Sequence, residues 1–406
     1  MGRADHHRFR RKLAEVEEGA LAGPTAAVAE AEARAALAPL ADAAGAAAQA
    51  RVDDLAAVIA GRRPRSDYVG AHGVAGVRRF TTAGGRSITL LPIETFPDHV
   101  NNVYLVRDRD RAFLFDAGSL FGTARRDFER AARVLAAVHG DPGVLDRVED
   151  VIVSHGHIDH HAAVGRWRKQ GARVHVHELD ARVVSSFAER VVVTARALRQ
   201  FLQAAGVDDR QRGELEQMYV MSKAAYRSVP VDRLLTDGAV VCGAVAHHVA
   251  GHCPGQICLQ VDDVLLTADH VLPRITPHQA PESITPSTGL DHYFESLEKI
   301  RRVGGIALAL PGHEEPIARL ADRIGEIEAF HRTRLDEVRA ICRSEPRTVC
   351  DVAQALFGDQ QGYGRILAYE EAGAHVEFLA RRGLVEVANL EAFDKEQNPV
   401  VLYRAA

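Results

Sequence analysis

The stretch Ser154-His155-Gly156-His157-Ile158-Asp159-His160 constrains this chain more than any other. It begins at the end of the run Val148–Ser154, whose length and β-branched content predict a strand that ends where the histidines begin. Four metal-capable side chains follow within six residues. A short loop leaving a sheet can turn His155 and His157 toward one ion, and Gly156 permits the tight turn between them. Asp159 and His160 can reach a neighbouring position from the start of the next helix. Imidazole and carboxylate are the usual ligands of zinc and similar divalent ions, so the chain must fold in a way that brings further ligands to this strand end.

Three later positions meet that requirement. His252 lies in Gly251-His252-Cys253-Pro254-Gly255, Asp269 follows Val264–Ala268, and His313 follows Leu310-Pro311-Gly312. Each is a ligand-capable residue where an apolar run emerges, and ligands on strand ends are held more rigidly than ligands on free loops.

The rest of the chain frames these positions. Residues 1 to about 62 are rich in Ala, Glu, Arg and Leu and predict helices with a break near Gly23-Pro24. This Ala-rich segment reads as a structural extension, with a homodimer arm as the other reading. Gly61–Arg65 reads as a linker. Val74–Phe80, Ser87–Pro92, Val103–Arg107 and Ala112–Phe115 predict strands, and Arg125–Val138 predicts an amphipathic helix. Residues 178 to about 228 predict a helical insertion. Its Met218, Tyr219, Met221 and Tyr226 read either as core or as the apolar lining of a pocket. Strands resume at Ala239–Val249, Gln256–Gln260, Val264–Ala268 and Ile306–Leu310, with a helix over Leu290–Arg302. His331–Cys342, Val349–Leu356 and Leu367–Arg381 predict three helices, followed by two short strands at Leu384–Val387 and Val400–Tyr403. That is a winged-helix outline. The predicted organisation is a helical extension over 1–70, a layered α/β domain over 71–325 and a winged-helix-like domain over 326–406.

In order, the histidine loop, Gly251-His252, Asp269 and His313 make the chain similar to the metallo-β-lactamase-fold hydrolase superfamily. The likeness covers roughly residues 75–320, with Ser154 where Thr is common. The tail resembles the winged-helix domain of the branch that includes β-lactamase-like protein 2. The resemblance implies an αββα sandwich. It also implies one ion on His155, His157 and His252, a second on Asp159, His160 and His313, and Asp269 as the bridge. The ions would be two divalent metals, Zn2+ first and Mn2+ or Fe2+ as alternatives. Asp116 would support the histidine loop without binding metal. The implied chemistry is hydrolysis by a metal-bridging hydroxide, with Asp159 orienting the nucleophile or taking its proton.

A small carbonyl substrate such as a thioester or lactone is the favoured class, and a metal-dependent endoribonuclease or phosphodiesterase is the alternative. The net charge of -5 gives no global attraction for nucleic acid. The expected wing, Leu384–Pro399, sets Glu386, Glu391, Asp394 and Glu396 against Lys395, which disfavours phosphate. Asp269 fills the position where some β-lactamases carry Cys, which argues against β-lactam hydrolysis. His161, His247, His248 and His270 extend the histidine clusters without matching a family ligand. Cys253 stands where Ser or Thr is common, and whether it or His248 faces the site is open at this stage. His175 and His177 share one strand face and read as structural. Five cysteines at irregular spacing, with no membrane span and no secretion signal, predict a cytoplasmic protein.

Overall fold

The computed structural model describes residues 3–22, 28–109, 111–119 and 121–406. The expected helix break at Gly23-Pro24 lies outside the described residues. The chain divides into two compact units, one of Met1–Val153 with Ile158–Val174, the other of Ser154–His157 with His175–Ala406.

The first unit opens with helices α1 (Arg3–Glu17), α2 (Glu30–Ala44), α3 (Ala46–Ile59) and α4 (Arg65–His72). Alanine gives α2 and α3 high helix propensity and little bulk. Leu37, Ala41 and Ala44 of α2 and Val52, Leu55 and Ala56 of α3 are buried, forming the shallow face that such a composition permits. A deeper anchor is Glu17, fully buried at the end of α1. Its carboxylate accepts from the hydroxyl of Tyr68, from the backbone N–H of Ala75 at 2.7 Å, and pairs with Arg51 at 2.7 Å. A buried carboxylate is tolerable only when matched in this way. The expected linker is therefore short, because Arg65 already begins α4.

The sheet of this unit runs β1 (Arg78–Thr81), β2 (Ser87–Phe96), β3 (His99–Asp108), β4 (Arg111–Phe115) and β5 (Asp150–Val153) in chain order. The first four pair antiparallel. β4 and β5 pair parallel, with α5 (Ala124–His139) between them in the chain. Phe128, Ala131, Val134 and Leu135 bury the apolar stripe of α5. The strand expected at Val74–Phe80 is shorter than anticipated, since Val74 and Val77 form only a bridge ahead of β1. Short helices α6 (Ile158–His161) and α7 (Val164–Lys169) lead to β6 (Arg173–His177), along which the chain passes into the second unit.

There the 178–228 region forms α8 (Ala181–Ser185), α9 (Phe187–Ala204) and α10 (Asp209–Lys223), and β7 (Arg233–Leu235) follows. Next come β8 (Val240–Val241), β9 (Ala244–His248), β10 (Ile257–Val261), β11 (Val264–Ala268), α11 (Leu290–Arg301) and β12 (Leu308–Pro311). The sheet order is β12-β11-β10-β9-β8, antiparallel except for the parallel β11–β12 pair. The chain ends with α12 (Leu320–Ser344), α13 (Val349–Phe357), α14 (Tyr363–Arg381) and an antiparallel pair, β13 (Val385–Val387) and β14 (Tyr403–Ala405). The helix expected at His331–Cys342 is the second half of the continuous 25-residue α12, so the boundary expected near 325 falls inside a helix. One apolar core joins Leu198 and Leu202 of α9, Cys258 and Leu265 of the sheet, Ile327 and Val338 of α12, and Ile366 and Val376 of α14. Tyr219 belongs to this core, whereas Met221 is exposed.

Candidate metal centre

In the second unit the histidine loop Ser154–His157 is pinned by backbone contacts. The Ile257 N–H donates to the Ser154 carbonyl at 2.9 Å. The Gly156 N–H donates to one oxygen of Asp180 at 2.8 Å, and the Gly255 N–H donates to the other at 2.9 Å. One buried carboxylate thus clamps the His155–His157 loop to the loop that carries His252. Burial pushes the Asp180 pKa up to about 6, even though the two N–H donors favour the ionised form. Two glycines make these approaches possible. A Cβ on Gly255 would lie 2.6 Å from the backbone nitrogen of Asp180. At Gly251, with φ +136°, a Cβ would lie 2.6 Å from Tyr293 Cα.

Three imidazoles converge at this clamp. The ring centroids of His155, His157 and His252 are 4.7, 5.2 and 4.5 Å apart in pairs. His155 Nε2 and His157 Nδ1 are 3.1 Å apart. Two nitrogens bound to one tetrahedral zinc would stand about 3.4 Å apart, so the spacing fits a shared cation. His252 Nδ1 meets the His278 carbonyl at 2.6 Å, and a carbonyl only accepts, so Nδ1 carries the proton and Nε2 is left with its lone pair. His155 Nδ1 meets Ser154 Oγ at 2.9 Å, a hydroxyl that serves either tautomer. Both contacts hold the rings with Nδ1 outward and Nε2 inward. The buried Cys253 Sγ lies 3.4 Å from His157 Nε2 and close enough to the three imidazoles to join them around an ion.

Asp269 and His313 complete this half. One Asp269 oxygen lies 3.8 Å from His252 Nε2 and 3.2 Å from His313 Nε2, as a carboxylate between two imidazole ligands would. The loop bearing His313 is tied back to β11 by the Gly312 N–H donating to the Ala268 carbonyl at 2.8 Å. Gln256 is buried, and in the amide orientation that satisfies its neighbours its oxygen accepts from the N–H groups of Asp269 at 3.2 Å and His270 at 2.7 Å.

The first unit holds Asp159 and His160 on α6. His160 Nδ1 meets Asp116 at 2.8 Å in a fully buried pair, which directs Nε2 away from it. Asp116 is held at φ +67° where β4 ends, a left-handed backbone that Asp tolerates better than most residues. Asn101 donates to Asp159 at 3.0 Å and lies 3.1 Å from His160 Nε2. His99 Nε2 lies 3.1 Å from the same Asp159 oxygen.

Every residue expected at the site therefore sits in one of two groups: His155, His157, His252, Asp269 and His313 in the second unit, Asp159, His160 and Asp116 in the first. The other histidines are elsewhere engaged. His248 stacks on His177 at 4.0 Å and contacts the Pro254 carbonyl at 2.8 Å, and His247 pairs with Gln260 at 2.9 Å. His161 is buried. His270 is fully buried, and burial pulls its pKa down to about 3, so it is neutral. Sequence reading missed His99, Asn101, Asp180 and His278. His99 and Asn101 alternate on one face of β3, a signal available in the sequence once the strand is begun at His99. No local pattern marks Asp180 or His278.

Residues 97–313, more than half of the chain, match the metallo-beta-lactamase superfamily. The "Probable metallo-hydrolase YqjP" of Bacillus subtilis (strain 168) is 24% identical over 286 residues, covering 68% of this chain and 86% of that protein. Among solved structures, a metallo-beta-lactamase family protein from Thermus thermophilus superposes with a TM-score of 0.64 at 24% identity, covering 79% of this chain and 98% of that one. A beta-lactamase domain protein from Burkholderia ambifaria gives 0.63 at 24% identity, with coverages of 81% and 94%. The chain belongs to the metallo-beta-lactamase superfamily, with its mixed α/β fold flanked by N-terminal helices and a C-terminal helical region. It is a metal-dependent hydrolase, and its His/Asp groups are suited to divalent metal ions.

Proposed function

We propose that the protein hydrolyses a small carbonyl substrate, a thioester or lactone, with two divalent ions, Zn2+ by preference. The observation that carries this reading is the convergence of His155, His157 and His252, with the outer nitrogens of His155 and His252 engaged, beside an Asp269 oxygen facing His252 and His313. His155, His157 and His252 would hold one ion. Asp159, His160 and His313 would hold the other and Asp269 would be shared, an assignment that rests on the family signature and the donor chemistry. The imidazole-rich set suits zinc. Bound ions would supply Lewis acidity and ease deprotonation of the attacking water.

The chain's own groups do the rest. His99 and Asn101 hold Asp159 by one oxygen, so that it orients the attacking water and takes its proton. Asp116 keeps His160 in the Nε2-ligating tautomer, and Asp180 keeps the two histidine loops in register.

Charge pairing supports a small substrate over nucleic acid. Arg301 pairs with Glu298 and Glu328, Arg302 with Glu298, Arg381 with Glu282 and Glu377, and Arg382 with Asp291. Within the tail, Arg404 pairs with Glu386. Such guanidinium groups are already spoken for, which weakens the case for a phosphate track. Among the described residues no helix is long and apolar enough to cross a membrane, and the five cysteines are thiols. Both facts are consistent with work in the cytoplasm.

The test is a turnover panel of thioesters, lactones, β-lactams, phosphodiesters and RNA with zinc-loaded protein. Hydrolysis of a thioester or lactone at the highest kcat/KM supports the reading. Turnover confined to RNA or phosphodiesters would replace it with the nuclease alternative.

A further inference from the structure

His252 is oriented by the backbone carbonyl of His278 at 2.6 Å. His278 is itself held from the C-terminal helix α14. Its Nε2 lies 3.0 Å from a Glu370 oxygen and its Nδ1 lies 3.3 Å from a Glu371 oxygen. Both ring nitrogens face carboxylates, so both donate and the ring is an imidazolium. The same Glu371 oxygen accepts the Gln279 N–H at 2.7 Å. Adjacent glutamates of one helix thus grip a side chain and the next backbone N–H, leaving the intervening carbonyl little freedom to turn.

The grip continues along the helix. Arg381 pairs with Glu282 and Arg382 with Asp291, each at 2.5 Å. Gly373 allows close packing, since a Cβ there would lie 2.6 Å from Phe201 and 3.4 Å from Pro281. The segment from 278 to 289 then returns to the ligand loop at its far end, where the Gly289 N–H donates to the Gly251 carbonyl at 3.0 Å. It forms a strap fastened to α14 along its length and to the Gly251-His252 loop at both ends.

We propose that α14 is a positioning element of the metal centre: Glu370 and Glu371 hold His278 so that its carbonyl fixes the His252 ring in the Nε2-ligating tautomer and sets the affinity of the His155/His157/His252 site for its ion. This rests on the metal-centre reading above. It gives the C-terminal region a role in the chemistry without any contact to substrate. The neighbouring His331 and His375, with Glu371, lie close enough together to hold an ion, but both rings are already engaged. His375 Nδ1 contacts the Glu371 carbonyl at 2.7 Å, and its Nε2 meets His331 Nδ1 at 3.2 Å, the pattern of two neutral rings sharing a hydrogen bond.

The experiment is chelator competition for zinc, with the cobalt-substituted electronic spectrum as a second readout, on full-length wild type, the E370Q/E371Q double variant and E386Q. Wild type is expected to bind two equivalents. The double variant is expected to lose about 10–100-fold in affinity at one of its two sites, with a changed cobalt ligand-field spectrum and an unchanged second site. E386Q removes a carboxylate of the C-terminal region that pairs with Arg404, away from His278 and the strap, and it is expected to keep wild-type affinity. Two sites of wild-type affinity and spectrum in a folded double variant would overturn the inference. Should the double variant not fold, E370Q alone, which leaves Glu371 on Gln279, must show the same selective loss in smaller measure, and no loss there overturns the inference equally. A wild type that binds no ion contradicts the metal centre itself.

Discussion

The two groups of site residues are held by different physics. In the second unit, His155, His157 and His252 sit on loops fixed by backbone hydrogen bonds to one buried carboxylate, Asp180, and by glycines that admit no side chain. In the first unit, Asp159 and His160 sit on a short helix and are held through side chains, by Asp116, Asn101 and His99. A backbone-pinned group tolerates changes of charge nearby but not of shape. A group held by side chains tolerates changes of shape but not of hydrogen-bonding capacity.

The largest expected effect tests whether both groups serve one reaction. His157→Ala in the second unit and Asp159→Ala in the first should each lower kcat/KM for the substrate that the turnover panel identifies by a factor on the order of 10³ or more. Loss in only one would break the pairing. Next, Gly251→Ala should destabilise the protein by about 2–4 kcal/mol, read from the denaturant midpoint, because a Cβ meets Tyr293 in a backbone region that only glycine occupies freely. Asp180→Ala should cost about 2–4 kcal/mol by leaving two N–H donors without their acceptor. Smallest in stability, Asp116→Asn should leave the denaturant midpoint within about 1 kcal/mol of wild type yet weaken one bound ion roughly 10–100-fold by chelator competition. If Asp116→Asn unfolded the protein as readily as Gly251→Ala, the distinction between the two groups would fail.

The sequence made the candidate metal ligands visible because each is a chemically distinctive residue at the end of an apolar run, and strand ends are places that periodicity finds. Ser154–His160, His252, Asp269 and His313 all have that form. The supports were hidden for different reasons. His99 and Asn101 lie at the polar start of β3, where His99-Val100-Asn101-Asn102 reads as loop before pairing with β2 reveals the strand. Asp180 acts on N–H groups 24 and 75 residues away, and a backbone donor leaves no residue type for a sequence to display. Glu370 and Glu371 look like ordinary helix-surface acids, and only the path of the 278–289 strap gives them a partner. The Ala-rich extension was legible as helix, but not Glu17, whose anchoring depends on Tyr68 and Ala75 coming back to it.

The central claim is that divalent metal held by these residues performs the hydrolysis, and metal analysis joined to turnover tests it most directly. Purified protein should carry two equivalents of divalent metal, lose hydrolysis of the best substrate in the panel on chelation with a fall in Tm, and recover both when zinc is restored. Full turnover by protein free of metal would contradict it.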